Sequence, residues 1–306
     1  MQRKWLFTRL TNGLQQTGKR FVRSLVLSVS AAVLTAVMAG NSIADTKSDT
    51  TPAMDHSQWN GLLQQHVVPV EPGPAQRYGV VAGSSTQVSY AGFATHRTQL
   101  KEYLNALSDI RQSTFENWPK ADQLAFLINA YNAWTIELIL TKYPDLKSIK
   151  DLGSFFSSPW SKKIIPLLGK HLSLDDVEHQ LIRNSGRYNE PRIHFAVNCA
   201  SIGCPALRGE AYEGSKIEQQ LEDQTKQFLA DSSRNRFKAG KLHVSSIFKW
   251  YRDDFEKGWG SYHSLEAFFA AYSPQLKLNE QHVSALKAGN LSIKYLKYDW
   301  RLNDAN

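Results

Sequence analysis

Cysteine is scarce in this chain, because Cys199 and Cys204 are the only two among its 306 residues. Two thiolates without a second pair cannot build a four-cysteine zinc site. The sequence also has no His-Glu-x-x-His motif. Asp175, Glu178 and His179 lie on one predicted helix, but acidic residues in a first turn are expected from the helix dipole alone. We therefore predict no metal site.

Motifs that bind nucleotides are also missing. The chain has no glycine-rich phosphate loop, no dinucleotide fingerprint and no Gly-x-Ser-x-Gly nucleophile elbow. These absences argue against a nucleotide cofactor and against the common serine hydrolase arrangement. No cofactor is predicted.

A surplus of positive charge is missing from most of the chain. The whole sequence has 36 Lys and Arg against 28 Asp and Glu, but six of the basic residues lie within the first 44 positions. Without them, 30 basic residues face 28 acidic ones. A protein that binds nucleic acid needs excess positive charge to neutralise phosphates, so nucleic acid is not an expected partner.

The N-terminal segment resembles an export signal. It is basic, has no acidic residue, and contains an apolar run from Leu25 to Ala39. This run is about 15 residues long, whereas a spanning helix needs roughly 20. Small residues at Ser42 and Ala44 predict cleavage after Ala44, so we expect a signal peptide over residues 1–44 and a periplasmic or envelope location. An uncleaved leader remains an alternative and would be the only expected membrane contact.

The rest of the chain divides into a tether and a globular domain. Residues 45–90 are polar at first and then rich in Pro, Gly and Ser, which predicts a flexible tether and an extended arm. Residues 91–306 are expected to form the domain. Its longest predicted helix, Pro119–Tyr143, is apolar on nearly all sides and should be buried. Helices outnumber strands, and the strands form hairpins without βαβ alternation, which predicts a single, mainly helical α+β domain with short antiparallel strands.

The stretch Pro191–Leu207 is the main candidate for chemistry, because it holds both cysteines. Its β-branched and aromatic residues predict a strand, Ile193–Asn198, that ends in a tight loop. Side chains alternate along a strand, so His194 and Asn198 would share one face. Cys199 would follow at the strand end.

The second cysteine suggests an activated thiol. Cys204 directly precedes Pro205, and proline is favoured at the first position of a helix, so Cys204 is predicted to cap a helix N-terminus. The partial positive charge at a helix N-terminus lowers the pKa of a thiol there and favours the thiolate. Cysteine, histidine and asparagine are the groups of cysteine-dependent acyl transfer. The catalytic candidates are therefore His194 as base, Asn198 as orienting group, and Cys199 or Cys204 as nucleophile.

Two cysteines in an exported protein can also serve without being nucleophiles. They could form a structural disulfide or a reversible redox pair, although the Cys-x4-Cys spacing differs from the Cys-x-x-Cys of thioredoxin-type proteins. Two hypotheses follow: a cysteine-dependent hydrolase or acyltransferase, and a non-catalytic binding module with an aromatic-rich C-terminal groove. Either would act on an unidentified small-molecule, peptide or glycan ligand.

Three further polar residues are assigned to ligand binding. Asn129 and Asn132 lie three apart on the helix that is predicted to be most buried, where an amide is costly unless it is hydrogen-bonded. They could line a polar pocket or clamp the backbone of another segment. Ser201 lies in the loop between the cysteines. Asp253, Asp254 and Asp299 lie among aromatic residues, and an aspartate there could orient His194, bind a sugar-like ligand, cap a turn or pair with an arginine.

Five stretches of the sequence resemble successive blocks of the domain of unknown function 547 family, in the order in which the family has them. The blocks are Phe126–Ile136, Leu172–His179, Pro191–Leu207, Ser246–Phe255 and Tyr298–Asn303. Together they span most of residues 95–303. The resemblance implies an exported protein, as for the family's bacterial members. It implies no mechanism, because the family has no established activity.

Overall fold

The computed structural model describes residues 53–70, 85–154 and 158–305. The predicted leader and its cleavage site lie outside the described residues, as do parts of the predicted tether and arm. The described residues all belong to one compact unit. Within them, no helix is long and apolar enough to cross a membrane.

Helices dominate the described part of the chain. The α-helices are α1 (Ser57–His66), α2 (Tyr90–Thr95), α3 (Arg97–Asp109), α4 (Gln112–Glu116), α5 (Lys120–Leu140), α6 (Ile217–Ala230), α7 (Ile247–Trp250), α8 (Arg252–Glu256), α9 (Leu265–Ala271) and α10 (Glu280–Lys287). A π-helix runs over Asp176–Arg183. Short 3-10 helices cover Ile149–Leu152, Pro159–Ser161, Pro191–Phe195, Gly214–Lys216 and Trp259–Ser261.

The strands are short and form three small sheets. They are β1 (Val67–Pro69), β2 (Thr86–Val88), β3 (Ile165–Leu167), β4 (Lys170–Leu172), β5 (Arg236–Lys238), β6 (Lys241–Val244) and β7 (Ile293–Tyr295). The pairs β1–β2, β3–β4 and β5–β6 are antiparallel, whereas β7 adds to β6 in parallel. The β5–β6 hairpin turns at Ala239 and Gly240, which both have positive φ, as a two-residue hairpin requires. The predicted mainly helical α+β fold is confirmed.

Helix α5 is the centre of the first hydrophobic core. Sixteen of its 21 residues are buried, so it has no solvent-facing side of the kind that an amphipathic helix presents. Pro119 precedes its first residue, where the missing N–H of proline costs no helical hydrogen bond. Trp59 of α1 and Val88 of β2, which precede the predicted domain boundary at residue 91, are fully buried in the same core.

A second core, rich in phenylalanine, is built by the C-terminal half of the chain. Phe248 contacts five other phenylalanines of this cluster at ring-centroid distances between 4.8 and 6.1 Å, namely Phe195, Phe228, Phe255, Phe268 and Phe269. Phe195 belongs to this second core, while its near neighbour Ile193 belongs to the first. The segment around residue 195 therefore lies between the two cores.

The predicted strand Ile193–Asn198 is wrong, because Pro191–Phe195 forms a 3-10 helix. The Glu190 carboxylate accepts a hydrogen bond from the Arg192 N–H at 2.9 Å and so caps its first turn. The apolar residues that suggested a strand are buried because Ile193 packs in the first core and Phe195 packs in the second. His194 and Asn198 consequently do not share a strand face.

The predicted helix after Cys204 is also absent, since residues 205–208 are irregular. Side chains satisfy the backbone there: Asn198 donates to the Pro205 carbonyl at 2.8 Å, and Gln224 donates to the Ala206 carbonyl at 2.9 Å. These carbonyls need no helical partners. Cys204 is therefore not a helix N-cap.

Candidate functional site

A cavity of about 210 Å³ lies between α5 and the C-terminal segment. The aromatic side chains that line it are Tyr131, Trp160, Trp250, Tyr251, Tyr298 and Trp300. The titratable side chains that line it are Asp175, Glu178, His179 and His194. Both cysteines complete the wall, and no described lysine or arginine contributes to it.

Cys199 and Cys204 are joined by a disulfide with an Sγ–Sγ distance of 2.01 Å. The Tyr298 hydroxyl lies 3.1 Å from each sulfur, and the Ser201 hydroxyl lies 3.1 Å from the Tyr298 oxygen. Bridged sulfurs carry no proton, so Tyr298 donates to the disulfide and Ser201 donates to Tyr298. Ser201 therefore supports the cavity wall through Tyr298 without lining the cavity itself.

Asn198 holds the loop between the cysteines. Its Oδ1 accepts from the Ala200 N–H at 2.9 Å, and its Nδ2 donates to the Pro205 carbonyl at 2.8 Å. Ala200 has φ 59°, a left-handed conformation that is unfavourable for a residue with a Cβ. The Asn198 amide thus fixes a strained turn, and its side chain does not line the cavity.

Asn129 and Asn132 of α5 each make two side-chain hydrogen bonds to the backbone of a distant segment. Asn129 donates to the Tyr212 carbonyl at 2.8 Å and accepts from the Tyr212 N–H at 2.9 Å. Asn132 donates to the Ala196 carbonyl at 3.0 Å and accepts from the Asn198 N–H at 2.8 Å. Neither amide lines the cavity. Asn132 ties α5 to the segment that carries His194 and the disulfide.

His194 is buried and paired with Asp254. Its Nε2 lies 2.8 Å from Asp254 Oδ2. Arg183 Nε and Lys257 Nζ also donate to Asp254, at 2.5 Å and 2.7 Å. Burial alone would raise the pKa of Asp254, but these three hydrogen bonds outweigh it and hold the pKa well below its usual range. Asp254 is therefore ionised and only accepts, so His194 Nε2 carries the proton.

The other ring nitrogen of His194 has no partner among the described residues. The imidazole stacks on Tyr251 with a centroid distance of 3.9 Å. Burial lowers the pKa of His194, although the hydrogen bond to Asp254 partly opposes this effect. The ring is therefore neutral near pH 7, and Nδ1 is an unpaired acceptor in a residue that lines the cavity.

Glu178 carries the second buried acceptor atom, and it lies beside the Tyr131 and Tyr251 side chains and beside His179, whose Nδ1 is 3.8 Å from Glu178 Oε1. Its side chain is only 7% exposed, and Oε1 has no hydrogen-bond partner among the described residues. Tyr131 and Tyr251 have raised pKa values because of burial first and of the nearby Glu178 carboxylate second. The negative charge of Glu178 therefore acts directly on this part of the wall.

His179 and Asp175 lie beside Glu178. Arg183 Nη1 lies 2.9 Å from His179 Nδ1, and since a guanidinium only donates, His179 Nδ1 accepts. Burial raises the pKa of Asp175, whose side chain is 42% exposed. Across the described residues, no group of three or more His, Cys, Asp and Glu side chains is arranged to hold a metal ion.

Aromatic rings form the outer part of the cavity. Trp250 is 48% exposed and stacks on Trp300, with ring centroids 5.7 Å apart. Tyr298 contacts both indoles at 4.8 Å and 4.5 Å. Trp160 meets Trp300 edge-on at 5.8 Å. Because Trp250 both lines the cavity and is exposed, the cavity reaches the surface at this residue.

Of the residues that the sequence nominates, His194, Cys199 and Cys204 come together at the cavity. The sequence did not single out Trp160, Tyr251 or Tyr298 for this site. A weak signal exists for Tyr298, since it flanks Asp299 together with a tryptophan near the C-terminus. Asp299 itself pairs with Arg301 at 2.5 Å, as an exposed turn residue commonly does.

Comparison with known proteins identifies one family. Residues 115–229 match the family described as "Protein of unknown function, DUF547", which confirms the resemblance over this part of the chain. The match contains the first three of the five blocks seen in the sequence, and the blocks at 246–255 and 298–303 lie beyond it. No curated protein and no solved structure matches the chain.

Proposed function

We propose that this chain, whose residues 115–229 match the DUF547 family, is an exported binding module that takes a small organic ligand into the aromatic cavity. The observation that carries the proposal is the pair of buried acceptors, Glu178 Oε1 and His194 Nδ1, in residues that line one cavity. Buried polar atoms without partners cost free energy. Their presence beside six aromatic rings supports a ligand that pairs with them.

The disulfide has a structural role in this proposal. Cys199 and Cys204 form one wall of the cavity, and Tyr298 donates to their sulfurs. Disulfides persist in oxidising compartments, so the bridge is an argument for export beyond the basic leader.

A substitution that fills the cavity tests the proposal. Val197 lines the cavity and is 8% exposed, whereas Val68 on β1 is 42% exposed and lies outside it. Calorimetric titrations of the oxidised protein would use choline, N-acetylglucosamine and alanyl-alanine as probes. We expect at least one probe to bind. Val197→Phe should weaken that binding by about tenfold or more, or at least about 1.4 kcal/mol, and Val68→Phe should leave it unchanged.

Two outcomes would contradict this proposal. One is that none of the probes binds to the oxidised wild-type protein. The other is that Val68→Phe weakens binding as much as Val197→Phe does, because the site would then lie elsewhere.

A second candidate is the cysteine-dependent hydrolase or acyltransferase. It is favoured by one observation: His194, Cys199 and Cys204 line the same cavity. Only a thiolate is a nucleophile, so an external dithiol would first have to reduce the bridge. Asp254 would then orient the His194 base in the place first assigned to Asn198.

Alkylation and turnover separate the two candidates. The binding module predicts no reaction with iodoacetamide until the protein is reduced. The enzyme predicts that the reduced protein hydrolyses an activated ester such as p-nitrophenyl acetate, and that Cys199→Ser or Cys204→Ser abolishes this turnover. If reduced wild-type protein shows no thiol-dependent turnover, the second candidate is removed.

A further inference from the structure

Three of the polar side chains that line the cavity offer hydrogen-bond acceptors. Glu178 and Asp175 contribute carboxylates, and His194 contributes an unprotonated Nδ1. Two of these acceptors, Glu178 Oε1 and His194 Nδ1, have no partner among the described residues. A ligand can satisfy them with N–H or O–H donors, and a cation without such donors is still attracted by the negative charge of Glu178.

The charge of the wall is negative. Glu178 and Asp175 bring two carboxylates, while neutral His194 brings no charge. Behind the wall, Arg183 and Lys257 both pair with Asp254, which leaves one positive charge there, and Lys150 lies against Trp300 outside the lining. The two carboxylates line the cavity itself whereas these cations do not, and this placement favours a cationic ligand over an anionic one.

The aromatic rings offer a second kind of attraction to a cation. Faces of tryptophan and tyrosine rings attract ammonium groups within about 6 Å of the ring centroid. Two protein cations already use such faces, because Lys150 Nζ lies 3.7 Å from the centroid of the Trp300 ring and Arg183 Cζ lies 4.7 Å from that of the Tyr251 ring. Neither cation lines the cavity itself, so a ligand ammonium would lie against the other rings of the wall.

We propose that the cavity binds the cationic end of a small amine, with Glu178 as its main charged partner and the surrounding tryptophan and tyrosine rings as its walls. This proposal rests on the proposed binding function and names the class of its ligand. The cavity of about 210 Å³ is smaller than the roughly 300–1,000 Å³ of pockets for drug-sized ligands. It therefore takes a small amine, or the amine end of a longer molecule that leaves past Trp250.

A matched pair of probes isolates the charge. Choline and 3,3-dimethylbutan-1-ol have nearly the same shape, but only choline carries a positive charge. We expect the oxidised protein to bind choline at least about tenfold more tightly than the neutral alcohol, which corresponds to about 1.4 kcal/mol. Glu178→Gln, which keeps the shape of the side chain, should remove most of this preference.

Two further variants control the experiment. Glu102→Gln changes an exposed carboxylate on α3 outside the cavity and should leave the preference intact. Lys150→Gln removes a positive charge beside Trp300 and should tighten choline binding about two- to fivefold without improving binding of the alcohol. This gain of affinity cannot result from a failure to fold, so it keeps the test valid even if Glu178→Gln is unstable.

The outcomes distinguish this inference from the binding function itself. Equal binding of choline and the alcohol, or binding of N-acetylglucosamine without choline, would overturn the amine proposal while the cavity remained a binding site. A failure of choline, the alcohol, N-acetylglucosamine and alanyl-alanine to bind at all would overturn both proposals. Tighter choline binding in Glu178→Gln would also overturn the amine proposal.

Discussion

His194 is held in one tautomer by its contact with Asp254, and Asp254 also accepts from Arg183 and Lys257. We predict that Asp254→Asn destabilises the domain by about 3–5 kcal/mol, because it leaves buried positive charge without its partner. Urea unfolding would measure the change. The adjacent Asp253 is exposed, so Asp253→Asn should alter the free energy of unfolding by less than about 0.5 kcal/mol. Equal effects of the two substitutions would contradict this prediction.

Three buried or partly buried histidines predict a loss of stability in mild acid. Burial lowers the pKa of His56 to about 4 and also lowers the pKa values of His66 and His194. Below pH 6.5, the unfolded chain therefore binds protons that the folded chain does not. Each histidine contributes a slope of up to about 1.4 kcal/mol per pH unit in this window, with stability highest above pH 6.5.

Urea unfolding between pH 7.5 and 5.5 would check this prediction. His194→Gln should reduce the slope by up to one proton, whereas substitution of the exposed His171 by Gln should preserve the wild-type slope. A free energy of unfolding that rises as the pH falls through this range would contradict the lowered pKa values of these histidines in the folded protein.

The roles of Asp254 show what a sequence can say about a single residue. Orienting His194 and pairing with an arginine were predicted as alternative roles for any of Asp253, Asp254 and Asp299, and the structure shows that Asp254 alone contacts both His194 and Arg183. The partners lie 60 and 71 residues away in the chain. No local pattern can choose between contacts of that range, so the roles stayed open until the fold was known.

At the scale of elements, α5 positions the cavity wall through Asn132. We predict that Asn132→Leu destabilises the domain by about 1–3 kcal/mol for each buried backbone group left unpaired, and that it also weakens probe binding. Asn129→Leu removes an equivalent pair of hydrogen bonds, to the Tyr212 backbone, which lies away from the cavity. It should cost similar stability but spare binding. Loss of binding in both variants would show that Asn132 has no special role at the site.

Local chemistry explains which elements could be predicted. The start of helix α10 (Glu280–Lys287) can be read from local chemistry, because the Asn279 side chain accepts a hydrogen bond from the His282 N–H and caps the N-terminus. Helix α5 was expected from its apolar length and from the prolines on either side. The strand expected at Ile193–Asn198 is absent because its residues are buried in two different cores, and burial alone does not distinguish a strand from a 3-10 helix.

The disulfide also acts at this scale, because it closes a loop with a sequence separation of only five residues. The loop-entropy relation gives about 2 kcal/mol for so short a loop. Reduction should therefore lower the melting temperature of the wild-type protein by roughly 4–8 °C. A variant with both Cys199→Ser and Cys204→Ser should melt at the lower temperature and should not respond to reductant. An unchanged melting temperature on reduction would show that the disulfide does not stabilise the fold.

At the scale of the whole molecule, the cavity is built from segments that are far apart in the chain. Its wall extends from Tyr131 on α5 to Trp300 near the C-terminus. The sequence predicted the fold class and nominated His194 and the two cysteines, which line the cavity, because these inferences depend on local patterns. It could not predict that Trp160, Tyr251 and Glu178 share a cavity with them, since only the packing of the two cores brings these segments together.

Tryptophan indole signals offer the most direct test of a ligand site in this cavity. Trp160, Trp250 and Trp300 line the cavity, whereas Trp59 and Trp118 lie in the first core and serve as internal references. Indole N–H resonances of oxidised protein labelled with 15N-tryptophan would be followed while choline is added. We predict saturable shifts of the three cavity indoles while the two core indoles stay fixed. Unmoved cavity indoles, or equal shifts of all five, would contradict a site for the cationic end of an amine at this place in the fold.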